Sequence, residues 1–234
     1  MTSRRDFYEQ RAPQRAQEAQ RGYHTLLNRH FAFLIPPGQR VLELGCGLGD
    51  TLAAVKPARG VGVDFSPAMV ELAKARHPQL EFRAADALDF TSAEPFDYII
   101  LSDLVNDLPD VQAVLEKLRA VAHPKTRLVL NVFNNLWKPI LALAESCGWK
   151  APTLQQNWLS AGDMRNLLHL AGWELVKQDT RILWPLDTPL VGPLLNRWVG
   201  PLLRHLSLAI FMVARPRPAV PPDRKSTRLN SSHT

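Results

Sequence analysis

Val41–Asp50 reads VLELGCGLGD: an apolar run carrying one acid, Glu43, then glycines at Gly45, Gly47 and Gly49. Glycine weakens strand and helix alike, because it loses the most backbone freedom on ordering. Three of them in five positions mark a loop that something approaches closely. The next residues, Thr51 to Val55, suit a helix. Strand, glycine loop and helix in that order place backbone N–H groups at the carboxyl end of a strand, where open α/β sheets bind ligands.

Downstream the pattern repeats. A short apolar run, Gly60 to Val63, ends in Asp64, and Ser66-Pro67 supplies a capping oxygen and an N1 proline for a helix to about His77. LEFRAAD, FDYIILSD and TRLVLNVFNN follow as strands, separated by a helical segment from Asp110 to Val121. The near-continuous apolar run of FDYIILSD suits a strand covered on both faces. Upstream, Phe7 to Leu34 reads as helical, with a break at Pro13 and an apolar face that includes Tyr23, Phe31 and His30. Further on come helices at Trp137–Ser146 and Ala161–Ala171, the second with a capping box from Ser160 and Asp163. Strand candidates Trp173–Trp184 and Leu206–Ala214 flank a proline-punctuated insert. The expected fold is α/β: a doubly wound, mostly parallel seven-stranded sheet with an antiparallel edge strand. Residues 1–38 form an N-terminal helical lid, 39–216 the main domain with an insert at 185–205, and 217–234 a disordered tail.

The 234 residues, 46% apolar and 21% charged, suit one soluble domain. Two isolated cysteines, Cys46 and Cys147, imply a reducing compartment, no disulfide framework and no metal site. No signal peptide or spanning segment is evident, so a cytoplasmic location is expected. Asp223 to His233 resembles the translation of a sequencing adapter and is set aside. That tail carries three cations against Asp223, so without it the formal charge falls from +6 to +4, too mild to imply nucleic acid.

A dinucleotide fingerprint, G-x-G-x-x-G, fails here: Asp50 occupies the third glycine position. Glu43 and Asp50 flank the loop and would repel a pyrophosphate, whereas a cationic cofactor would be attracted. From Arg40 to Asn135 the chain resembles the class I S-adenosylmethionine-dependent methyltransferases. The family's acid and G-x-G-x-G loop match Glu43, Gly45, Cys46, Gly47 and Gly49. Its second acid matches Asp64 in VGVDFSP, which the resemblance assigns to the ribose hydroxyls. Its third matches Asp86, assigned to the adenine amino group with Ala87 as backbone donor. Met69, Phe65 and Ser102 complete the implied cofactor set. The competing readings are an NAD-dependent oxidoreductase and a non-catalytic S-adenosylmethionine-binding subunit.

The segment LSDLVNDL lies, by the same resemblance, beside the transferable methyl. Relatives often carry a histidine there; this chain has Asn106 and Asp107 instead. Asp103 is the catalytic candidate, and Asn106, Asn134, Trp137 and His30 are candidates for the acceptor. The segment lacks the Asn/Asp-Pro-Pro-aromatic motif of relatives that methylate DNA adenine or glutamine. A small-molecule, glycan-linked or lipid-linked acceptor is therefore expected. The C-terminal half resembles an uncharacterised bacterial branch associated with glycosyltransferases, which implies a glycosyltransferase pathway partner. The leucine-rich insert, 186–205, is a candidate for peripheral membrane contact.

Overall fold

The computed structural model describes Glu9 and residues 22–148, 157–186 and 188–218. Most of the expected Phe7–Leu34 helix ahead of residue 22, and the C-terminal tail from 219 on, lie outside the described residues. The elements run α1 (Tyr23–Leu34), β1 (Arg40–Leu44), α2 (Asp50–Ala54), β2 (Arg59–Asp64), α3 (Pro67–Arg76), β3 (Glu81–Ala84), β4 (Phe96–Leu101), α4 (Val111–Leu118), β5 (Ala122–Phe133), α5 (Lys138–Ser146), α6 (Ala161–Leu170), β6 (Trp173–Arg181), α7 (Val191–Leu194) and β7 (Ala209–Pro216).

The seven strands form one sheet in the order β3-β2-β1-β4-β5-β7-β6. The first five are mutually parallel; β7 runs antiparallel to both β5 and β6. The strand order reverses between β1 and β4, and their carboxyl ends open the crevice where such sheets bind ligands.

Alternation along each strand builds two cores. Leu42, Leu44, Ile99, Leu101, Leu128 and Leu130 pack against α4 and α6. Val41, Ile100, Val129 and Phe211 pack against α1, α2 and α3 through Leu27, Phe31, Leu52 and Val70. This parity fixes later events: Glu43 shares the face of Val41, and Asn131 shares that of Val129.

The two expected caps are present. Ser66 accepts from Met69 N with Pro67 at N1, and Ser160 and Asp163 form the reciprocal box. Three strand boundaries moved furthest. β5 starts at Ala122, ahead of Thr126, because a bulge admits extra residues: the Thr126 hydroxyl donates to Phe96 O and accepts from His123 N, replacing ladder bonds. β6 stops at Arg181, because Ile182 takes a positive φ and Trp184 turns to bond both ways with Asn196. β7 starts at Ala209, because Arg204–Leu206 closes a 3₁₀ turn.

His30 lies in this core and away from the loop crevice. Its ring rests 4.1 Å from that of Phe211, beside Lys177, Asp179 and Arg181. Burial foremost, then the Arg181 charge, lowers its pKa to about 4. The neutral form is favoured in the fold, so the stability it contributes is complete above the ordinary histidine value and is lost as pH falls toward the folded-state value. His30→Phe keeps the ring contact without the titration. Thermal melts should show the variant losing less Tm than the parent between pH about 7 and about 5; parallel curves would contradict this.

Candidate functional site

β1 ends at Leu44, and the loop that follows lies along the end of β2. Cys46 N donates to Val63 O at 3.0 Å, and Gly47 N donates to Asp64 Oδ2 at 2.9 Å. The other oxygen, Asp64 Oδ1, accepts from Ser66 N at 3.0 Å. One carboxylate thus holds both the glycine loop and the turn into α3. Charge-assisted bonds of this kind are roughly twice as strong as neutral ones.

The three glycines do different work. A Cβ at Gly45 would lie 2.6 Å from the Leu104 side chain, and one at Gly49 would lie 2.5 Å from the Phe82 ring. These two permit close packing with the loop after β4 and with β3. At Gly47, φ is +51° and a Cβ would meet nothing within 4 Å. Gly47 therefore turns an open backbone surface outward at the crevice, and its N–H is fixed by Asp64.

The loop does not carry the flanking negative charge that Glu43 and Asp50 imply in the sequence. Glu43 does not border the loop surface: it is buried under α2, where its Oε2 accepts from Leu52 N at 3.0 Å. Burial pushes its pKa well up, with Asp50 and Asp64 adding to the rise. Asp50 is paired with Arg76 at 2.8 Å and lies 2.9 Å from His77 Nε2. Neither acid presents a bare charge to a ligand. The acids at the carboxyl ends of β2, β3 and β4 are Asp64, Asp86 and Asp103.

The remaining predicted residues lie on this loop or at the ends of the strands beside it. Cys46 is buried below it, its sulfur near Gly62, and burial raises the thiol pKa. Met69 is buried against Leu48 on the loop, while Phe65 is half-buried at the end of β2. Asp86 is exposed beyond β3, where its Oδ1 accepts from Leu88 N at 2.9 Å in a tight turn, and Ala87 is half-buried beside it. Ser102 is half-buried at the end of β4.

Asp103 sits in a polar knot that local sequence does not announce. Its φ is +52°, a conformation that costs a non-glycine residue energy. Three bonds hold it there. Asp103 N donates to Asn131 Oδ1 at 3.0 Å, Asn131 Nδ2 donates back to Asp103 Oδ1, and Tyr23 OH donates to the same oxygen at 2.8 Å. Burial and the Asp103 charge raise the Tyr23 pKa well above the phenol range, so the hydroxyl remains a donor. Phe133 lies 6.0 Å from Tyr23 and 6.2 Å from Trp158, and Lys138 Nζ stands 5.8 Å over Trp158. Tyr23, Phe133 and Asn131 were missed as site residues. The available signal was Asn131 itself, a polar residue inside the apolar run LVLNVF.

Asn106 is buried next to this knot, and its backbone oxygen accepts from Asn157 N at 2.8 Å. Asn134 and Trp137 lie at the rim of β5. Asn134 Nδ2 donates to His205 O and Ser207 O, and Trp137 Nε1 donates to Leu206 O at 2.7 Å. His30 is not brought to the crevice.

Glu43 offers a test of this electrostatic assignment. Its folded-state pKa is raised, so its favourable contribution is complete below the ordinary carboxylate range and is lost as pH rises toward the folded-state value. Glu43→Gln keeps the shape and an acceptor for Leu52 N without the charge. The Tm difference should move in favour of the variant between pH about 4 and about 8. A difference moving the other way would show Glu43 ionised and stabilising.

A methyltransferase-domain family model matches residues 13–178. Trans-aconitate 2-methyltransferase of Methylobacterium radiotolerans is 35% identical over 118 residues, which cover 47% of this chain and 45% of that protein. The chain spans about half the length of the curated relatives it matches. Among solved structures, the Haloferax volcanii methyltransferase in complex with its Trm112 activator superposes with a TM-score of 0.71 at 20% identity, covering 94% of this chain and 100% of that one. Magnesium protoporphyrin IX methyltransferase from Synechocystis PCC 6803, with bound S-adenosylhomocysteine, gives 0.63 at 17% identity, over 92% and 97%. The matched family model covers well over half of the sequence, and the chain belongs to the class I S-adenosylmethionine-dependent methyltransferases.

Proposed function

We propose that the chain transfers a methyl group from S-adenosylmethionine to a small-molecule or lipid-linked acceptor. The observation that supports this reading most directly is the outward face of Gly47. It is the loop glycine with open space before it, at the switch point of the sheet, held by an acid at the end of the next strand. A nucleoside fits that arrangement. Asp64 would receive the ribose hydroxyls, since a carboxylate accepts about four hydrogen bonds and can hold loop and ligand together. Asp86 and the Ala87 N–H would meet the adenine edge, with Phe65 and Met69 beside the base. Bound there, S-adenosylmethionine supplies a methyl carbon already activated by its sulfonium leaving group.

The chain's remaining task is alignment. Tyr23, Phe133 and Trp158 offer aromatic surface to an acceptor, and Asn106, Asn134 and Trp137 line its approach. Asp103 is fixed where an acceptor proton would be received. Holding two reactants in line supplies up to roughly 7–11 kcal/mol of the barrier. The acceptors named for the relatives, trans-aconitate and magnesium protoporphyrin IX, differ too much for either to be carried over. Nothing in the site favours an oxidoreductase or a non-catalytic subunit.

Two substitutions test the cofactor half by calorimetry with S-adenosylmethionine. Asp64→Ala should weaken binding by about 1–3 kcal/mol, the cost of a lost charged acceptor. Gly47→Val should abolish binding, with the fold destabilised by only about 1–2 kcal/mol from the positive φ. Unchanged affinity in either variant would remove that residue from the site.

The acceptor half is tested by Tyr23→Phe in a labelled-methyl assay on low-molecular-mass and lipid extracts. Releasing Asp103 from one bond should lower kcat on the order of 10²-fold, with cofactor affinity kept. Incorporation by the variant at the parent's rate would separate Asp103 from the chemistry.

A further inference from the structure

The segment between β6 and β7 exposes a ridge of large apolar side chains. Leu190, Leu194, Trp198 and Leu202 recur every four residues and are 85%, 57%, 66% and 80% exposed. The middle of this stretch, Leu195–Val199, is a wide π turn closed by Gly200 N donating to Leu195 O, so Leu194 and Trp198, four residues apart, stay close to one face. Its base is fixed: Trp184 N donates to Asn196 Oδ1, Asn196 Nδ2 to Trp184 O, and Trp184 Nε1 to Thr188 Oγ1. The ridge is thus held outward by a built support.

A second ridge adjoins it. Leu136, Ile140 and Leu143, at and along α5, are each more than half exposed. The Trp137 Nε1 bond to Leu206 O and the Asn134 bonds to His205 O and Ser207 O tie the start of α5 to the end of the insert. Scattered exposed leucines are ordinary, but two adjoining ridges are not. The charged companions in the insert are cationic, while α5 carries Lys138 and Glu145. From Thr188 to Leu206 the sequence holds Arg197, Arg204 and His205 and no acid, though Asp187 precedes it. The Arg197 guanidinium carbon lies 5.9 Å from the Trp198 ring centre. Lys138 opens α5.

We infer that this face docks on the surface of an anionic lipid bilayer, lying in the interface without crossing it. Leucines supply apolar area, tryptophan suits the boundary between acyl chains and headgroups, and arginines answer anionic headgroups. Among the described residues, no helix is long and apolar enough to span. A second copy of the chain fits less well. In a two-fold contact a patch meets itself, and 188–206 brings Arg197 and Arg204 to that contact with no carboxylate of its own to answer them. Docking would bring the rim of β5, with Asn134 and Trp137, to the lipid surface. That consequence rests on the methyl-transfer reading; docking itself does not.

The test is co-sedimentation of the full chain with vesicles of phosphatidylcholine alone, and of phosphatidylcholine mixed with phosphatidylglycerol. The mixed vesicles should retain the protein, and high salt should release much of it. Leu194→Ser with Trp198→Ser should weaken binding about tenfold or more. Arg197→Gln with Arg204→Gln should remove most of the preference for the anionic vesicles, about fivefold per arginine. Calorimetry with S-adenosylmethionine confirms that each variant is folded, and loss of that binding in the parent would count against the functional reading alone. Docking is overturned if neither vesicle retains the parent, or if the double serine variant binds as the parent does. It is equally overturned if sedimentation velocity without lipid shows a dimer that the serine variant dissolves.

Discussion

The crevice depends on what Asp64 grips. Its two oxygens accept from Gly47 N and Ser66 N, so one side chain fixes the loop after β1 and the turn after β2. The grip exists only because β1 and β2 are parallel and in register, Leu44 opposite Val63. The next residues of each chain then leave the sheet side by side, with N–H groups no longer paired in a ladder. A buried N–H left without an acceptor costs about 1–3 kcal/mol, so an acid at this position solves a problem that the sheet's own end creates. The residue that would receive a ribose is thus also what shapes the place where the ribose would lie.

Glu43 shows how sharply sheet parity divides roles. It lies one residue before the last of β1 and looks, in one dimension, like a border of the glycine loop. In the fold it shares the face of Val41 and serves α2 from below. Burial without a cation favours the neutral carboxyl, so its part is played by an oxygen acceptor and not by a charge. Asp50 keeps a cationic neighbour instead, but Arg76 and His77 come from the far end of α3.

These cases separate what was legible in the sequence from what was not. Strands β1, β2, β4 and β5 announced themselves because both faces are covered, which leaves near-continuous apolar runs. The caps at Ser66 and Ser160 were legible because capping is decided within four residues. The positions of Asp64, Asp86 and Asp103 could be read for the same reason: each acid follows its own strand. What could not be read was every contact set by sequence-distant partners. Tyr23 reaches Asp103 across 80 positions, and Asn131 reaches it across 28. The bulge that lengthens β5 depends on Thr126 meeting Phe96 O, a partner 30 residues away.

The same division bears on how the two halves of the crevice relate. The half proposed to hold the cofactor is assembled from β1, β2 and β3, and its named bonds, such as Gly47 to Asp64, span 17 residues or fewer. The acceptor half draws on α1, the ends of β4 and β5, and the segment at Asn157 and Trp158, and none of its named bonds touches Asp64 or Gly47. The two halves meet through Leu104 seated against Gly45 and through Thr51 Oγ1 on α2, which donates to Asn28 Oδ1 on α1 at 2.8 Å. Substitutions far apart without shared partners act nearly independently. The aromatic lining at Phe133 and Trp158 shares no named bond with the grip of Asp64 on the loop. The link that cannot change freely is Gly45, because any side chain there would displace Leu104 and move the loop that carries Asp103.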